Sequence, residues 1–151
     1  MEITLVAVGR LRPSYRAACD DYLRRLRRYG RISEREVKEA SRAPTPAVQQ
    51  SQEAERLRAA LPAGASVVAL DRLGEAWSSE ELARRVTQWQ LAARPVALVI
   101  GGSTGLAPEL LAGAARWSLG PLTLPHELAR VVVTEQLYRA FTILRGEPYH
   151  K

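Results

Sequence analysis

Gly101-Gly102-Ser103-Thr104-Gly105 follows the unbroken apolar run 96–100, and glycines at such a point let main chain approach a ligand closely. A helix opening just beyond them would turn free N–H groups toward an anion. The run fits neither G-x-G-x-x-G nor the phosphate loop ending in Lys-Ser/Thr, and taken alone it is more commonly a plain strand-to-helix turn. His126 has Glu127 beside it and Glu135 further on, side-chain types suited to moving a proton. A single histidine at a helix start is, similarly, more often just a cap. Cys19 falls on an apolar helical stripe and reads as core. No Cys/His cluster has metal-ligand spacing, so no metal is expected.

The elements that must position these residues alternate between short β-branched runs and longer segments of helical period. Strands are expected over 3–8, 32–39, 66–70, 96–100 and 117–124, the last with an odd Gly120-Pro121 interruption. A helix opened by Pro13 and Ser14 carries Tyr15, Ala18, Cys19, Tyr22, Leu23 and Leu26 on one stripe and closes at Gly30. Further helices are expected over 47–61, 79–92 (with Ser78 and Glu81 as a capping box), 108–116 and 125–144. The last carries Leu128, Val131, Val132, Val133, Leu137, Tyr138, Phe141 and Leu144 on more than one face. Such a helix must be buried in its own chain or by a second copy. Residues 41–46, with two prolines, form the expected flexible loop. This alternation predicts an α/β fold, a mainly parallel sheet with helices on both faces. Ligands on such sheets bind beyond the carboxyl ends of strands, which selects the loops after Leu70, after Ile100 and around 119–125.

Composition sets the bounds. With 151 residues, 46% hydrophobic and 25% charged, the chain reads as one globular domain spanning 1–151, which excludes disordered and fibrous classes. The longest apolar run is too short to span a bilayer, and no basic segment precedes a long apolar one at the start. Together with the single cysteine, this leads us to expect a cytoplasmic protein with no membrane partner. The net charge is +6, and residues 10–31 account for all of it: eight arginines against Asp20 and Asp21. One basic element on an otherwise neutral domain points to a polyanion, with a solvated helix face as the plainer reading.

Several motifs occur together in order: Gly101-Gly102-x-x-Gly105-Leu106, Trp117-Ser118-Leu119, Leu122-Thr123-Leu124-Pro125-His126-x-Leu128-x-Arg130-Val131, Glu135-Gln136-Leu137-Tyr138-Arg139-Ala140 and Pro148-Tyr149-His150. Leu5-Val6-Ala7-Val8-Gly9, Tyr22-Leu23-Arg24-Arg25, Leu70-Asp71, Gly74 and Trp77-Ser78-Ser79 precede them. The set closely resembles the ribosomal RNA large subunit methyltransferase H family, a small member of the SPOUT class, over the whole length. The resemblance implies a SPOUT-type α/β fold with a C-terminal trefoil knot, and a homodimer. It also implies S-adenosylmethionine-dependent methylation of N3 of a pseudouridine, in a stem-loop of large-subunit ribosomal RNA on the assembled ribosome. The family's cofactor contacts carry over to Leu70, Gly101, Leu119, Gly120, Pro121, Leu122, Thr123 and Leu124. Ser103-Thr104 stands where many relatives carry Pro-Glu, and Gly120-Pro121 is a less usual pair in the cofactor segment. Because N3 carries a proton, His126, Glu135 and His150 become candidates for removing it. Arg130 and Arg139 are candidates for holding phosphate or the developing anion, and Arg24, Arg25 and Arg28 for gripping RNA.

Two other readings follow from the same residues. One is a non-catalytic RNA- or ribosome-binding module built on the basic first helix. The other is a nucleotide-dependent enzyme on an ordinary open sheet, against which the missing glycine fingerprint after the first strand counts.

Overall fold

The computed structural model describes residues 1–151. Five strands, β1 (Glu2–Val8), β2 (Arg31–Val37), β3 (Ser66–Ala76), β4 (Val96–Ile100) and β5 (Ala115–Ser118), form one sheet in the order β2-β1-β4-β3-β5. Every neighbouring pair is parallel. Parallel neighbours need a crossover, and these are α1 (Pro13–Leu26), α2 (Pro46–Ala60), α3 (Ser79–Ala92) and α4 (Pro108–Leu111); α5 (His126–Arg145) closes the chain. No helix is long and apolar enough to cross a membrane.

The period-two alternation of side chains sorts the strands onto two cores. Ile3, Leu5 and Ala7 of β1 join Val96, Leu98 and Ile100 of β4 against Val133, Leu137 and Phe141 of α5. Val6, Val8, Ala97 and Val99 face the other way, onto Ala54 and Leu57 of α2 and Leu110 of α4. Helices therefore cover both faces, as the run of apolar residues in β1 and β4 requires.

Three expected boundaries move, each for a local reason. The strand expected across 117–124 stops at Ser118, whose hydroxyl accepts the Gly120 N–H at 3.1 Å while Gly120 takes φ +113°. Pro121 then has no N–H to offer a ladder, and residues 119–125 leave the sheet as an open loop. The helix expected over 108–116 ends at Leu111, because Ala115 to Trp117 pair with Val68 to Leu70 as an edge strand. β3 runs on to Ala76, with a bulge between Leu70 and Glu75 that throws Asp71 and Arg72 out at the ligand end of the sheet.

Arg130 joins α5 to this frame. Its side chain is 1% exposed, and it donates to Glu34 at 3.0 Å, to Glu36, and to the carbonyls of Val8 and Gly9 at 3.2 and 2.9 Å. Arg16 reaches the same two carboxylates from α1. Removing one member of a buried ion cluster leaves the others desolvated without a partner. Arg130→Met should therefore lower stability by about 3 kcal/mol despite its similar volume. An unchanged urea midpoint would show the cluster to be incidental.

Candidate functional site

A cavity of about 500 Å³ opens at the carboxyl ends of β3 and β4. Its walls are the bulge residues Leu70 and Asp71, the glycine loop 101–106, Trp117, the loop 119–124, and the first turn of α5 with His126 and Ala129. Leu70, Gly101, Leu119, Gly120, Leu122, Thr123 and Leu124 all line it. Pro121 is exposed and lies between the lining residues Gly120 and Leu122, where its ring restricts the loop backbone. Reasoning from sequence missed Asp71, Thr104 and Trp117. Each carries a buried polar atom without a hydrogen-bond partner, namely Asp71 Oδ2 (3.7 Å from the Arg116 guanidinium), Thr104 Oγ1 and Trp117 Nε1. Only pairing β3 with β5 and wrapping the glycine loop across their ends brings these three together.

The glycine loop is tight. A Cβ on Gly101 would stand 2.8 Å from the Gly105 carbonyl carbon, and Gly105 itself has φ +78°. The loop is held from behind by α2, since Gln50 donates to the Thr104 carbonyl and Ser103 Oγ bonds Glu39 at 3.3 Å. Residues 101–105 also have G-x-S-x-G spacing. Ser103 bonds a carboxylate and no histidine, so nothing activates it as a nucleophile.

The proposed proton-handling residues do not meet within one chain. His126 faces the cavity, whereas Glu135 sits nine residues along α5, about 14 Å away at helical rise. There Glu135 accepts from Arg139 Nε at 2.8 Å and from Tyr149 at 3.4 Å. His150 Nδ1 lies 3.1 Å from Arg139 Nη1 and its Nε2 lies 2.8 Å from Glu80. Since arginine can only donate, Nδ1 accepts, and Nε2 is left to donate to Glu80. That bond pulls the Glu80 carboxyl below its usual range. Burial pushes the Tyr149 hydroxyl up, and the Glu135 carboxylate holds Arg139 firmly charged.

The arginines divide similarly. Arg130 is sealed inside, so the expectation that it meets RNA is corrected: its Nη1 and Nη2 groups are turned to Glu34, Glu36 and two carbonyls. Arg24 and Arg25 are exposed and share Asp21, and Arg28 pairs with Glu147 of the tail. Exposed pairs of this kind hold weakly and leave the guanidinium groups open to phosphate. Because α1 runs back along β1, these three stand at the opposite end of the sheet from the cavity.

Two outcomes follow from this geometry. Gly101→Val should abolish ligand binding by driving the loop backbone apart from within, with the urea midpoint shifted only slightly; calorimetry that finds native affinity would remove the loop from the site. Burial and the bond to Glu147 push the Tyr29 hydroxyl up to about 12, against about 10 unfolded. Stability should therefore be complete below pH ~10 and fall as the pH rises from there to ~12. A Tyr29→Phe variant showing the same alkaline loss would assign it to another group.

The family model described as "Predicted SPOUT methyltransferase" matches residues 1–150. A protein of Rubrobacter xylanophilus named "Ribosomal RNA large subunit methyltransferase H" is 55% identical over 97% of this chain and 96% of its own length. Proteins of the same name from an Anaeromyxobacter species and from Pseudomonas aeruginosa are 48% and 43% identical, each with 100% of both chains covered. Among solved structures, a probable methylase family protein of Haemophilus influenzae superposes with TM-score 0.55 at 16% identity, over 95% of this chain and 66% of the other. A putative methylase of Neisseria gonorrhoeae gives TM-score 0.53 at 18% identity, over 91% of this chain and 81% of the other. The fold agrees with these structures, and full-length identity carries the assignment further: this chain belongs to the ribosomal RNA large subunit methyltransferase H family of SPOUT methyltransferases.

Proposed function

We propose that the protein methylates N3 of a pseudouridine in a stem-loop of large-subunit ribosomal RNA, on the assembled ribosome in the cytoplasm, with S-adenosylmethionine as donor and as a homodimer of knotted SPOUT subunits. The observation that carries the reading is the convergence of Leu70, Gly101 and the 119–124 loop on one cavity. The residues present fit such a cofactor. The wall mixes leucines with main chain from three loops, and the buried Thr104 Oγ1 and Trp117 Nε1, which have no hydrogen-bond partner, offer hydrogen bonds to a polar guest. When bound, the cofactor supplies an electrophilic methyl group on a sulfonium.

The chain's own part is placement and proton handling. Fixed walls hold the reactants in line, an effect worth up to roughly 7–11 kcal/mol. His126 stands in the wall where it can take the N3 proton. Glu135, Arg139 and His150 form a second polar cluster at the far end of α5. On α5, Leu128, Val131 and Val132 remain partly open on one stripe while Val133, Leu137 and Phe141 fill the core. A second copy docked on that stripe about a two-fold axis would set the tail cluster of each chain near the cavity of the other, and Arg139 would then be placed to meet the imide anion. The exposed Arg24, Arg25 and Arg28 add a phosphate-binding surface at the same end as the tail.

Mapping modifications in ribosomes from cells with and without the protein tests the reaction: one methylated pseudouridine should vanish, and identical maps would leave the RNA-binding module as the reading. Light scattering of Val132→Asp should show monomers that keep their fold, whereas Leu137→Asp, with no exposure at all, should unfold. A native monomer at micromolar concentration would overturn the dimer. Reversing Arg24, Arg25 and Arg28 to Glu should weaken ribosome binding and flatten its salt dependence while cofactor affinity stays put. Normal methylation by that variant would return these arginines to the solvated face.

A further inference from the structure

Glu53 on α2 is 1% exposed, and its nearest polar neighbours do not neutralise it. Oε2 accepts the Ala40 N–H at 3.0 Å and the Gln49 amide at 3.1 Å; Oε1 has no partner at all. The same Gln49 amide reaches Glu39 at 3.4 Å, and Glu39 accepts from Ser103 at 3.3 Å. Two carboxyl side chains thus converge behind the glycine loop, and every hydrogen bond they accept comes from a neutral donor. Gly102 is what separates them from the cavity. It lines the cavity, and a Cβ on it would lie 3.7 Å from Glu53 Oε1 and 3.0 Å from Val8 Cγ1.

An anchor for Ala40 alone would not need a charge here, since the neutral amide of glutamine accepts an N–H equally well. Desolvating a carboxylate with one oxygen bare is unfavourable unless a positive charge arrives nearby. No arginine, lysine or histidine forms an ion pair with Glu53 or Glu39. Arg116 is turned to Asp71, at 3.7 Å, and Arg72 is exposed at the rim. His126 faces the cavity as well. Resting on the methyl-donor reading, we infer that Glu53, supported by Glu39, makes this cavity select a cationic ligand over its neutral counterpart, so that the sulfonium donor is held and the thioether product is released. The field acts across the thin Gly102 backbone, where low polarizability keeps it strong. Glu53 is thus a specificity residue that works on the charge of the ligand without touching it.

The test compares three ligands that share the adenosine and amino-acid parts. S-adenosylmethionine and sinefungin carry a positive charge at the central position, and S-adenosylhomocysteine does not. Calorimetry on the full-length protein should find the two charged ligands preferred, and Glu53→Gln should narrow that preference about tenfold, equivalent to ~1.4 kcal/mol, while affinity for S-adenosylhomocysteine holds. Glu39→Gln should shift the ratio the same way by less, which keeps the test usable if the Glu53 variant folds poorly. Equal weakening of all three ligands would reduce Glu53 to a loop anchor and overturn the inference, as would an unchanged ratio in both variants. If the native protein binds none of the three, the methyl-donor reading itself falls and takes this inference with it.

Discussion

The guanidinium of Arg130 is the point through which the two halves of the molecule are joined. It bridges the start of α5 to the ends of β1 and β2, through two carboxylates it shares with Arg16 and two main-chain carbonyls. One turn upstream, Glu127 takes the Arg12 N–H at 2.6 Å and its side chain at 3.1 Å, so the helix start is pinned twice. That start carries His126 and Ala129 into the cavity wall. Without this junction the long helix would still bury Leu137 and Phe141, but its first turn would have no fixed distance from the glycine loop. The site therefore depends on a buried ion cluster more than on apolar packing, which is non-directional.

The glycine loop and the 119–124 loop complete the wall of the cavity. Gly101 packs against the Gly105 backbone too tightly for a side chain, Gly105 takes a positive φ, and α2 braces the loop through Gln50. On the opposite wall, Trp117 stacks on Trp77 at 5.3 Å, with Arg85 lying 4.0 Å over the Trp77 ring. That stack fixes the end of β5 from which the 119–124 loop departs. Rigid supports of different chemistry thus converge on one opening.

Much of this was legible from residue order. The alternation of β-branched runs with helical periods places every strand and helix, because each is a local consequence of side-chain periodicity. The Ser78 cap holds as expected, accepting the Glu81 N–H at 3.1 Å. What periodicity cannot convey is pairing over distance. Trp117 to Leu124 has a strand's composition, yet Ser118 and Pro121 end the ladder early, and the remainder becomes binding loop. Arg130 looks like a surface cation beside its neighbours, and only the folded chain shows Glu34 and Glu36 about a hundred residues away closing on it. The separation of His126 from His150 is likewise invisible until the length of α5 is laid against the sheet.

A binding wall that takes part of its surface from the main chain of two tight loops has a consequence for how this site can change. Side chains can be exchanged one codon at a time; carbonyls and amides cannot. A molecule that fits between the Gly101–Gly105 turn and the 119–124 loop by matching their main-chain groups offers escape mutations few places to act, since altering Gly101 or Gly105 disturbs the turn that the natural ligand uses.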